Sequence, residues 1–268
     1  MSKGFPHDYH VHSHFSADSH APLAEMCRIA ATLGIPEIGF AEHYDLHPDE
    51  NPRDWLRLEP WLEDLERCRA EFSGRLVIRA GIEVGEPHRF HDDMNTMLAR
   101  APFDYVIGSL HWVGSESVFD PAYFQRPAEE AYSRYFAELA RMTARGGFDI
   151  LGHLDVPVRT GFNFHGSYDP RDYEPWIRQV LRNCIEQGIA LDVNTSAMRR
   201  KAQVLLPGLP ILRWYAEMGG MRVTLGSDAH RPEQVASHFG VALDAIRTAG
   251  LQSLVQYELR RPHHVALP

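Results

Sequence analysis

Short apolar runs rich in β-branched and aromatic residues alternate along this chain with longer segments whose apolar residues recur at helical spacing. This alternation predicts a parallel β-sheet whose strands are joined by helical crossovers, which is the α/β class of fold. The predicted strands cover residues 8–12, 37–42, 76–84, 105–111, 149–153, 190–194 and 222–227.

The segments between these strands carry the start and stop signals of helices. Pro22 stands at an early helical position, and a glycine closely follows each segment, as is typical of helix ends. The segments 86–89 and 159–170 contain glycine or proline, follow strands, and are predicted to be loops over a site. The predicted helices cover residues 22–33, 55–72, 128–145, 173–187 and 209–218.

The apolar runs end at polar residues, and at six of the seven ends these residues are of types that bind divalent metal ions. A β/α barrel collects the carboxyl ends of its strands at one face, where such residues can build a metal site. An open doubly wound sheet also binds ligands beyond its strand ends, but it concentrates them near one switch point. Candidates on nearly every strand therefore favour a closed barrel of seven strands. The endings are Asp8-Tyr9-His10-Val11-His12, Glu42-His43, Glu83, His111, His153 and Asp228-Ala229-His230.

The histidines at these ends have an alternative interpretation that does not involve metal. His10 and His12 are two residues apart on a strand, so their side chains leave one face and can grip one cation, but half-exposed polar residues show the same spacing. His111 and His153 would, taken singly, more often be hydrogen-bonded core residues. Their recurrence at the same end of neighbouring strands favours metal, and the loop that carries Asp18 is free to fold over a further ion.

The carboxylates also have alternatives. A charged Glu83 behind an apolar run is costly to bury unless a metal ion or a salt bridge, for example with Arg79, compensates it. Asp228 is a candidate cap for a helix that begins near Pro232. Capping leaves the position of His230, two residues later, unexplained, so the pair favours a metal site.

Length and composition fit one globular domain. The chain has 268 residues, of which 44% are apolar and 24% charged, an ordinary balance for such a protein. Residues 1–268 are therefore interpreted as a single domain. The formal net charge of −9 argues against a nucleic-acid partner, because surfaces that bind nucleic acid need basic stripes to neutralise phosphates.

The cysteines and the amino terminus bear on the compartment. Cys27, Cys68 and Cys184 lie in helix-like stretches without metal-binding spacing, and three cysteines cannot all pair within one chain. The first residues lack the apolar run of a signal peptide, and no stretch approaches the ~20 apolar residues of a membrane span. We therefore expect a reduced, cytoplasmic protein without a membrane partner, while its oligomeric state stays open.

The order of the metal-binding residues, with Asp18 included, resembles that of the polymerase and histidinol phosphatase (PHP) superfamily over nearly the whole chain. This resemblance implies a distorted seven-stranded, TIM-like (β/α)7 barrel that holds two or three divalent metal ions. Four segments are similar, more narrowly, to the stand-alone histidinol-phosphate phosphatases, which are also of similar length. These segments are Phe103-Asp104-Tyr105-Val106-Ile107-Gly108-Ser109-Leu110-His111, Gly152-His153-Leu154-Asp155, Asp192-Val193-Asn194-Thr195 and Gly226-Ser227-Asp228-Ala229-His230-Arg231-Pro232.

The family pattern implies three sets of metal ligands in which Glu83 bridges the first two ions. Asp18 departs from the pattern, because many relatives have histidine there, and a carboxylate should shift the third site toward Mn or Fe(II). Zn, Mn and Fe are all candidate metals, since histidine and carboxylate ligands accept each of them. Carried over to this chain, the sets are His10, His12, Glu83 and Asp228; then Glu83, His111 and His153; then Asp18, His43 and His230.

The resemblance implies a metal-dependent phosphomonoesterase that hydrolyses L-histidinol phosphate in histidine biosynthesis. Paired divalent cations activate water and orient a phosphoryl group, which reconciles a small phosphorylated substrate with an acidic chain. Asp155 or His230 is the candidate for protonating the departing alkoxide. The alternatives are a phosphoesterase of the same superfamily that acts on another small phosphomonoester or a nucleotide, and a metal-binding barrel without turnover.

Basic residues that follow the strands are candidates for binding the phosphate. Arg159 and Arg199 are favoured by their position and by the resemblance. Arg200 and Lys201 are equally well explained as solvated surface charges.

Overall fold

The computed structural model describes residues 4–268 of the chain. Seven strands in this part form one parallel sheet, and two antiparallel hairpins accompany it. All seven predicted strands are present, with ends that differ from the prediction by a few residues. The strands are β1 (Asp8–Val11), β2 (Glu37–Tyr44), β3 (Val77–Gly85), β4 (Tyr105–Ser109), β5 (Trp112–Val113), β6 (Glu116–Ser117), β7 (Ile150–Leu151), β8 (Ala190–Asn194), β9 (Val223–Gly226), β10 (Ser253–Glu258) and β11 (Arg261–Ala266).

The large sheet curls into a barrel. Its strand order is β1-β2-β3-β4-β7-β8-β9, and the two outer strands meet through a parallel bridge between Val11 and Ala229. The backbone N–H of His12 donates to the carbonyl oxygen of Ala229 at 2.9 Å across this seam. The predicted closed barrel is therefore confirmed, and the open doubly wound sheet is excluded.

Helices cover the outside of the barrel. Five of them, α1, α2, α4, α6 and α7, are the predicted crossovers, whereas α3 and α8 were not predicted. Within the described residues, the helices are α1 (Leu23–Thr32), α2 (Leu58–Glu71), α3 (His91–Leu98), α4 (Ala128–Arg145), α5 (Val158–His165), α6 (Glu174–Gln187), α7 (Leu209–Glu217) and α8 (Phe239–Thr248).

The prediction of a loop over residues 159–170 is wrong in its first half, which belongs to α5. Gly161 lowers the intrinsic helix propensity of this segment. The glycine also lets α5 approach the hydroxyl of Tyr132 and the ring of Phe124, because a Cβ atom there would overlap both side chains. Tertiary packing therefore overrides propensity, and it places Arg159 at the carboxyl end of the barrel.

Aromatic rings fill the opposite, amino-terminal end of the barrel. The ring of Tyr9 stacks on that of Tyr105 at 4.8 Å, and Tyr257 of the β10–β11 hairpin lies against them. Gly39 and Gly81 make room for this layer, since a Cβ atom at either position would overlap the Tyr105 ring. We call this end the floor of the barrel.

None of the helices in residues 4–268 is both long enough and apolar enough to cross a lipid bilayer. Cys27, Cys68 and Cys184 are buried and form no disulfide.

Candidate metal centre

The carboxyl ends of the barrel strands bring the predicted metal ligands together. Groups of three side chains offer nitrogen or carboxylate oxygen atoms that lie within 4.8 Å of one another, a spacing at which one ion can be shared. The nine residues predicted as ligands meet at this end, namely His10, His12, Asp18, His43, Glu83, His111, His153, Asp228 and His230.

Glu83 is at the centre of the cluster and is completely buried. Its Oε2 atom lies 3.4 Å from His10 Nε2 and 3.6 Å from His12 Nε2. Its Oε1 atom lies 3.1 Å from His153 Nε2 and 3.6 Å from His111 Nε2. The two carboxylate oxygens thus face different imidazoles, which is the arrangement that a bridging ligand requires.

The donor atoms of this cluster fit divalent metal ions. Two nitrogen ligands about 2.1 Å from a tetrahedral Zn²⁺ are about 3.4 Å apart, close to the separations around Glu83. Among the described residues, His10 Nε2, His12 Nε2 and Glu83 Oε2 have no hydrogen-bond partner although all three are buried. Because buried polar atoms are normally paired, these atoms point to a cation as their partner.

The third predicted set lies further out. Asp18 Oδ2 is 2.9 Å from His230 Nε2, and Asp18 Oδ1 is 3.6 Å from His43 Nε2. His43 Nδ1 also lies 2.9 Å from Glu83 Oε2, although not in hydrogen-bond geometry, and this approach joins the third set to the centre of the cluster. The side chain of Asp18 is 59% exposed, whereas that of Glu83 is fully buried. The third set therefore faces solvent.

The charge of the carboxylates is set by the surrounding imidazoles. Burial disfavours the ionised form of Glu83, but His10 and His43 outweigh it and hold the pKa of Glu83 well below its usual value. Burial acts in the same way on Asp228, and there too the neighbouring histidines lower the pKa well below its usual value. Burial, together with the nearby imidazoles, lowers the pKa of His12 to about 3. The cluster therefore offers ionised carboxylates and a neutral His12, the forms in which these groups bind metal.

Carboxylates that the sequence analysis did not assign orient the histidines. Asp192 Oδ2 lies 2.8 Å from His10 Nδ1, and Asp45 Oδ1 lies 3.3 Å from His111 Nδ1. A partner on the second ring nitrogen fixes the tautomer and direction of a metal-binding histidine. Asp192 lies in one of the segments that resemble known relatives, and this was a signal for it. Asp45 had no comparable signal.

Glu42 stands at a strand end but does not join the cluster, which corrects its inclusion among the metal-binding endings. Its carboxylate accepts hydrogen bonds from the backbone N–H and hydroxyl of Ser13, and from the hydroxyl of Ser16 at 2.5 Å. Ser16 Oγ in turn lies 3.2 Å from His12 Nδ1. Glu42 thus holds the loop that orients His12.

Glu86 plays a similar part beside His111. Its Oε1 atom accepts from the backbone N–H groups of His111 at 2.6 Å and Trp112 at 2.9 Å. Burial raises the pKa of Glu86 to about 7. This buried side chain fixes the backbone that presents His111 to Glu83.

Two of the alternatives to metal binding do not match the structure. Arg79 does point into the barrel, but its Nε donates to Glu37 Oε1 at 2.9 Å on the floor, so it is not the partner of Glu83. Asp228 caps no helix: the short 3₁₀ helix at Pro232–Gln234 begins after Arg231 and has no side-chain cap.

A cavity of about 970 Å³ opens above the cluster. Glu83, His111 and His153 form part of its lining, and Asp228 and His230 contribute from the seam of the barrel. Its basic lining residues are Arg159, Arg200 and Lys201.

Arg199 differs from the expectation that it faces the substrate. It is not among the residues that line the cavity, and its guanidinium donates to the carbonyl oxygens of Ser227 at 2.8 Å and Asp228 at 3.0 Å. Asp228 has φ of 52°, in the left-handed region that side chains rarely adopt. Arg199 thus stabilises the backbone conformation that positions the predicted ligand Asp228.

The two candidates for the general acid lie in different places. His230 lines the cavity. Asp155 is buried and does not line it, and burial raises the pKa of Asp155 to about 8. Burial raises the pKa of the Tyr132 and Tyr168 hydroxyls, and the nearby Asp155 adds to both shifts.

Comparison with known proteins places this site in a family. The profile of the PHP domain matches residues 8–196 of the chain. The chain belongs to the PHP family. The histidinol-phosphatase of Lactococcus lactis is 30% identical over 254 residues, which are 93% of each chain. The histidinol-phosphatase of Bacillus subtilis is 25% identical over 270 residues, which are 88% of this chain and 98% of the other.

A solved structure extends the match to the entire PHP barrel. The crystal structure of the Lactococcus lactis histidinol phosphate phosphatase, in complex with zinc, L-histidinol and phosphate, matches this fold with a TM-score of 0.89 at 29% identity. The match covers 96% of this chain and 98% of the other. It confirms the predicted PHP fold, including β9, which follows the segment matched by the family profile.

Proposed function

We propose that this PHP protein is a metal-dependent phosphomonoesterase that hydrolyses L-histidinol phosphate to L-histidinol and inorganic phosphate. The observation that carries the proposal is the buried cluster around Glu83, in which His10 Nε2, His12 Nε2 and Glu83 Oε2 have no hydrogen-bond partner among the described residues. Glu83 also lines the cavity. The similarity to histidinol-phosphatases over more than nine-tenths of the chain supports the substrate. An inert barrel would not be expected to keep such a complete ligand set.

We assign the nine predicted ligands to two inner ions and one outer ion, with Glu83 between the inner pair. Divalent ions, when bound there, activate water at neutral pH and neutralise charge on the phosphoryl group. Zn is supported by the related structure, and the exposed carboxylate of Asp18 favours Mn or Fe(II) at the outer position. Asp192, Asp45 and the Glu42–Ser16 pair hold the imidazoles in position for these ions.

Arg159 and Arg200 are the proposed contacts of the phosphoryl oxygens. Both line the cavity, and the nearby Arg159 guanidinium lowers the pKa of Arg200, which places two like charges close together. A phosphate dianion between them relieves this repulsion and accepts charge-assisted hydrogen bonds. Arg199 is assigned instead to positioning Asp228, because its donors are already engaged with backbone carbonyls.

The remaining step is protonation of the leaving group. A water oxygen forms a bond to phosphorus as the bond between phosphorus and the histidinol oxygen breaks, and the departing alkoxide takes a proton. Of the two candidates, His230 is the one at the cavity wall, whereas Asp155 lies outside the lining. We therefore propose that His230 delivers this proton in molecules whose outer site holds no ion, because an imidazole nitrogen that ligates a metal ion carries no proton, and His230 Nδ1 lies 3.1 Å from the carbonyl oxygen of Asp228.

We interpret residues 1–268 as one domain. One hydrophobic cluster extends from Val11 to Leu254, and Asp228 and His230, beyond the segment matched by the family profile, complete the site. As a biosynthetic phosphatase with three free buried thiols, the protein is proposed to act in the cytoplasm. The substrate is a small phosphorylated molecule, and the net charge of −9 disfavours nucleic acid.

The test is release of inorganic phosphate by metal-reconstituted protein. L-histidinol phosphate should give the highest kcat/KM when it is compared with p-nitrophenyl phosphate and a nucleoside 5′-monophosphate. A preference for the nucleotide would favour the alternative of a different PHP phosphoesterase. Absence of phosphate release from every substrate, with Zn, Mn or Fe(II) bound, would identify an inert barrel.

A further inference from the structure

The cavity contains an acidic side chain that neither the metal cluster nor the phosphate site uses. Glu50 lies in the loop after β2, and it lines the cavity together with Trp112, which follows His111 of the cluster. The basic residues Arg159 and Arg200 reach the same cavity from the segments after β7 and β8. The cavity therefore carries negative charge on one arc of the barrel and positive charge on another.

Glu50 is held in place by a neutral partner. Trp112 Nε1 donates to Glu50 Oε2 at 2.7 Å, and the backbone N–H of Glu50 donates to the carbonyl oxygen of His47 at 3.0 Å. The ring of His47 stacks on that of Trp112 at 4.2 Å with an interplanar angle of 3°, and His47 Nε2 lies 3.0 Å from the carbonyl oxygen of Gly114. The loop that carries Glu50 and the indole of Trp112 thus hold each other in place, and they keep the Glu50 carboxylate at the cavity wall.

The negative charge of Glu50 has no counterpart among the described residues. The neighbouring Asp45 does form ion pairs, since its carboxylate lies 3.3 Å from His111 Nδ1 and 3.5 Å from His43 Nδ1. Glu50 forms no ion pair with arginine, lysine or histidine in residues 4–268. A fixed carboxylate in a cavity, bonded only to an indole N–H and its own loop, is suited to a cationic group of a ligand.

We propose that Glu50 is a specificity-determining residue that binds the protonated amine of the substrate, while Arg159 and Arg200 bind its phosphate. The inference rests on the proposed function, because histidinol phosphate carries a protonated primary amine on the carbon next to the one that bears the ester oxygen. Glu50 does not strengthen the binding of a phosphomonoester that lacks a cationic group. The carboxylate selects among phosphate esters and takes no part in the cleavage of the ester bond.

The experiment compares Glu50→Gln with the parent on two substrates. With L-histidinol phosphate, kcat/KM should fall by about 10- to 100-fold, mainly through KM, which is the scale of one charge-assisted hydrogen bond. With p-nitrophenyl phosphate, kcat/KM should change by less than about twofold. Trp112→Phe keeps the stacked ring but removes the donor to Glu50, and it should give a smaller loss with the same selectivity. Glu186→Gln, at an exposed position of α6 outside the cavity, is the matched control.

Product inhibition gives a second measurement on the same proteins. In Glu50→Gln, the inhibition constant of L-histidinol should rise while that of inorganic phosphate stays the same. Equal losses on both substrates, or no loss on either, would overturn the role of Glu50 while leaving the phosphatase activity in place. A parent protein that cleaves p-nitrophenyl phosphate but not L-histidinol phosphate would overturn the proposed function, and this inference with it.

Discussion

The two ends of the barrel each bury a cluster of polar side chains, and they differ in how those side chains are satisfied. On the floor, Arg79 Nε donates to Glu37 Oε1 at 2.9 Å, and Tyr9 is hydrogen-bonded to the same carboxylate. At the carboxyl end, buried donor atoms of His10, His12 and Glu83 have no hydrogen-bond partner in the described residues.

This difference predicts that the polar cluster on the floor contributes to stability, whereas the cluster at the carboxyl end contributes to function. Burying a polar group is costly unless a partner compensates it, and on the floor the chain supplies that partner itself. At the carboxyl end the compensation is left to bound metal and substrate. Substitutions on the floor should therefore change the free energy of unfolding, whereas those in the metal cluster should change metal content and turnover.

The largest effect is expected for Glu83→Gln. Loss of the central carboxylate should remove at least one metal ion and lower kcat/KM by about 10³-fold or more, since each bound ion contributes several kcal/mol to transition-state stabilisation. The fold should persist, because Glu83 is not part of the floor. Elemental analysis, phosphate release and circular dichroism measure the three properties. Full metal content with normal turnover would contradict the bridging role.

The same substitution at the other end of the barrel, Glu37→Gln, is the matched counterpart. It should lower the free energy of unfolding by about 1.5–3 kcal/mol, because Arg79 and Tyr9 lose a charged partner. Metal content and kcat/KM should stay within about twofold of the parent. Denaturant titration measures the stability. If Glu37→Gln loses metal, or if Glu83→Gln is the less stable variant, the proposed division between the two ends is wrong.

Arg200→Ala and Arg199→Ala test a finer division within the carboxyl end. Arg200→Ala should lower kcat/KM by about 10- to 100-fold with full metal content, because it removes a contact to the phosphate. Arg199→Ala should instead weaken metal retention during dialysis against a chelator, since Asp228 loses the brace on its backbone. The opposite pattern would return Arg199 to the phosphate site, where the sequence analysis had placed it.

The smallest effect is expected for Asp18→His. An imidazole is a softer ligand than a carboxylate, so the metal that best restores activity should shift toward Zn by a few-fold, about 1 kcal/mol, relative to Mn or Fe(II). Both proteins are stripped with chelator, reconstituted anaerobically with each metal, and assayed on L-histidinol phosphate. Identical preferences would show that Asp18 does not set the selectivity of the outer site, and full activity of Asp18→Ala would remove it from the ligands.

The sequence by itself determined the strands and the types of residue at their ends. Hydrophobic periodicity is a local property, so β8 was predicted within its observed bounds and α4 likewise. Histidine and carboxylate side chains carry metal-binding atoms whatever the fold in which they stand. Their recurrence at the ends of parallel strands was therefore enough to predict that His10, Glu83 and Asp228 would meet.

Only the tertiary structure decided which side chains support those ligands and which line the cavity. Asp192 reaches His10 from a strand that is 182 residues away in the chain, and nothing near either residue predicts that contact. Arg199 and Arg200 are neighbours in sequence, yet one braces Asp228 and the other lines the cavity. Side-chain direction outside regular strands is set by packing between distant elements, and the order of residues alone does not contain that information.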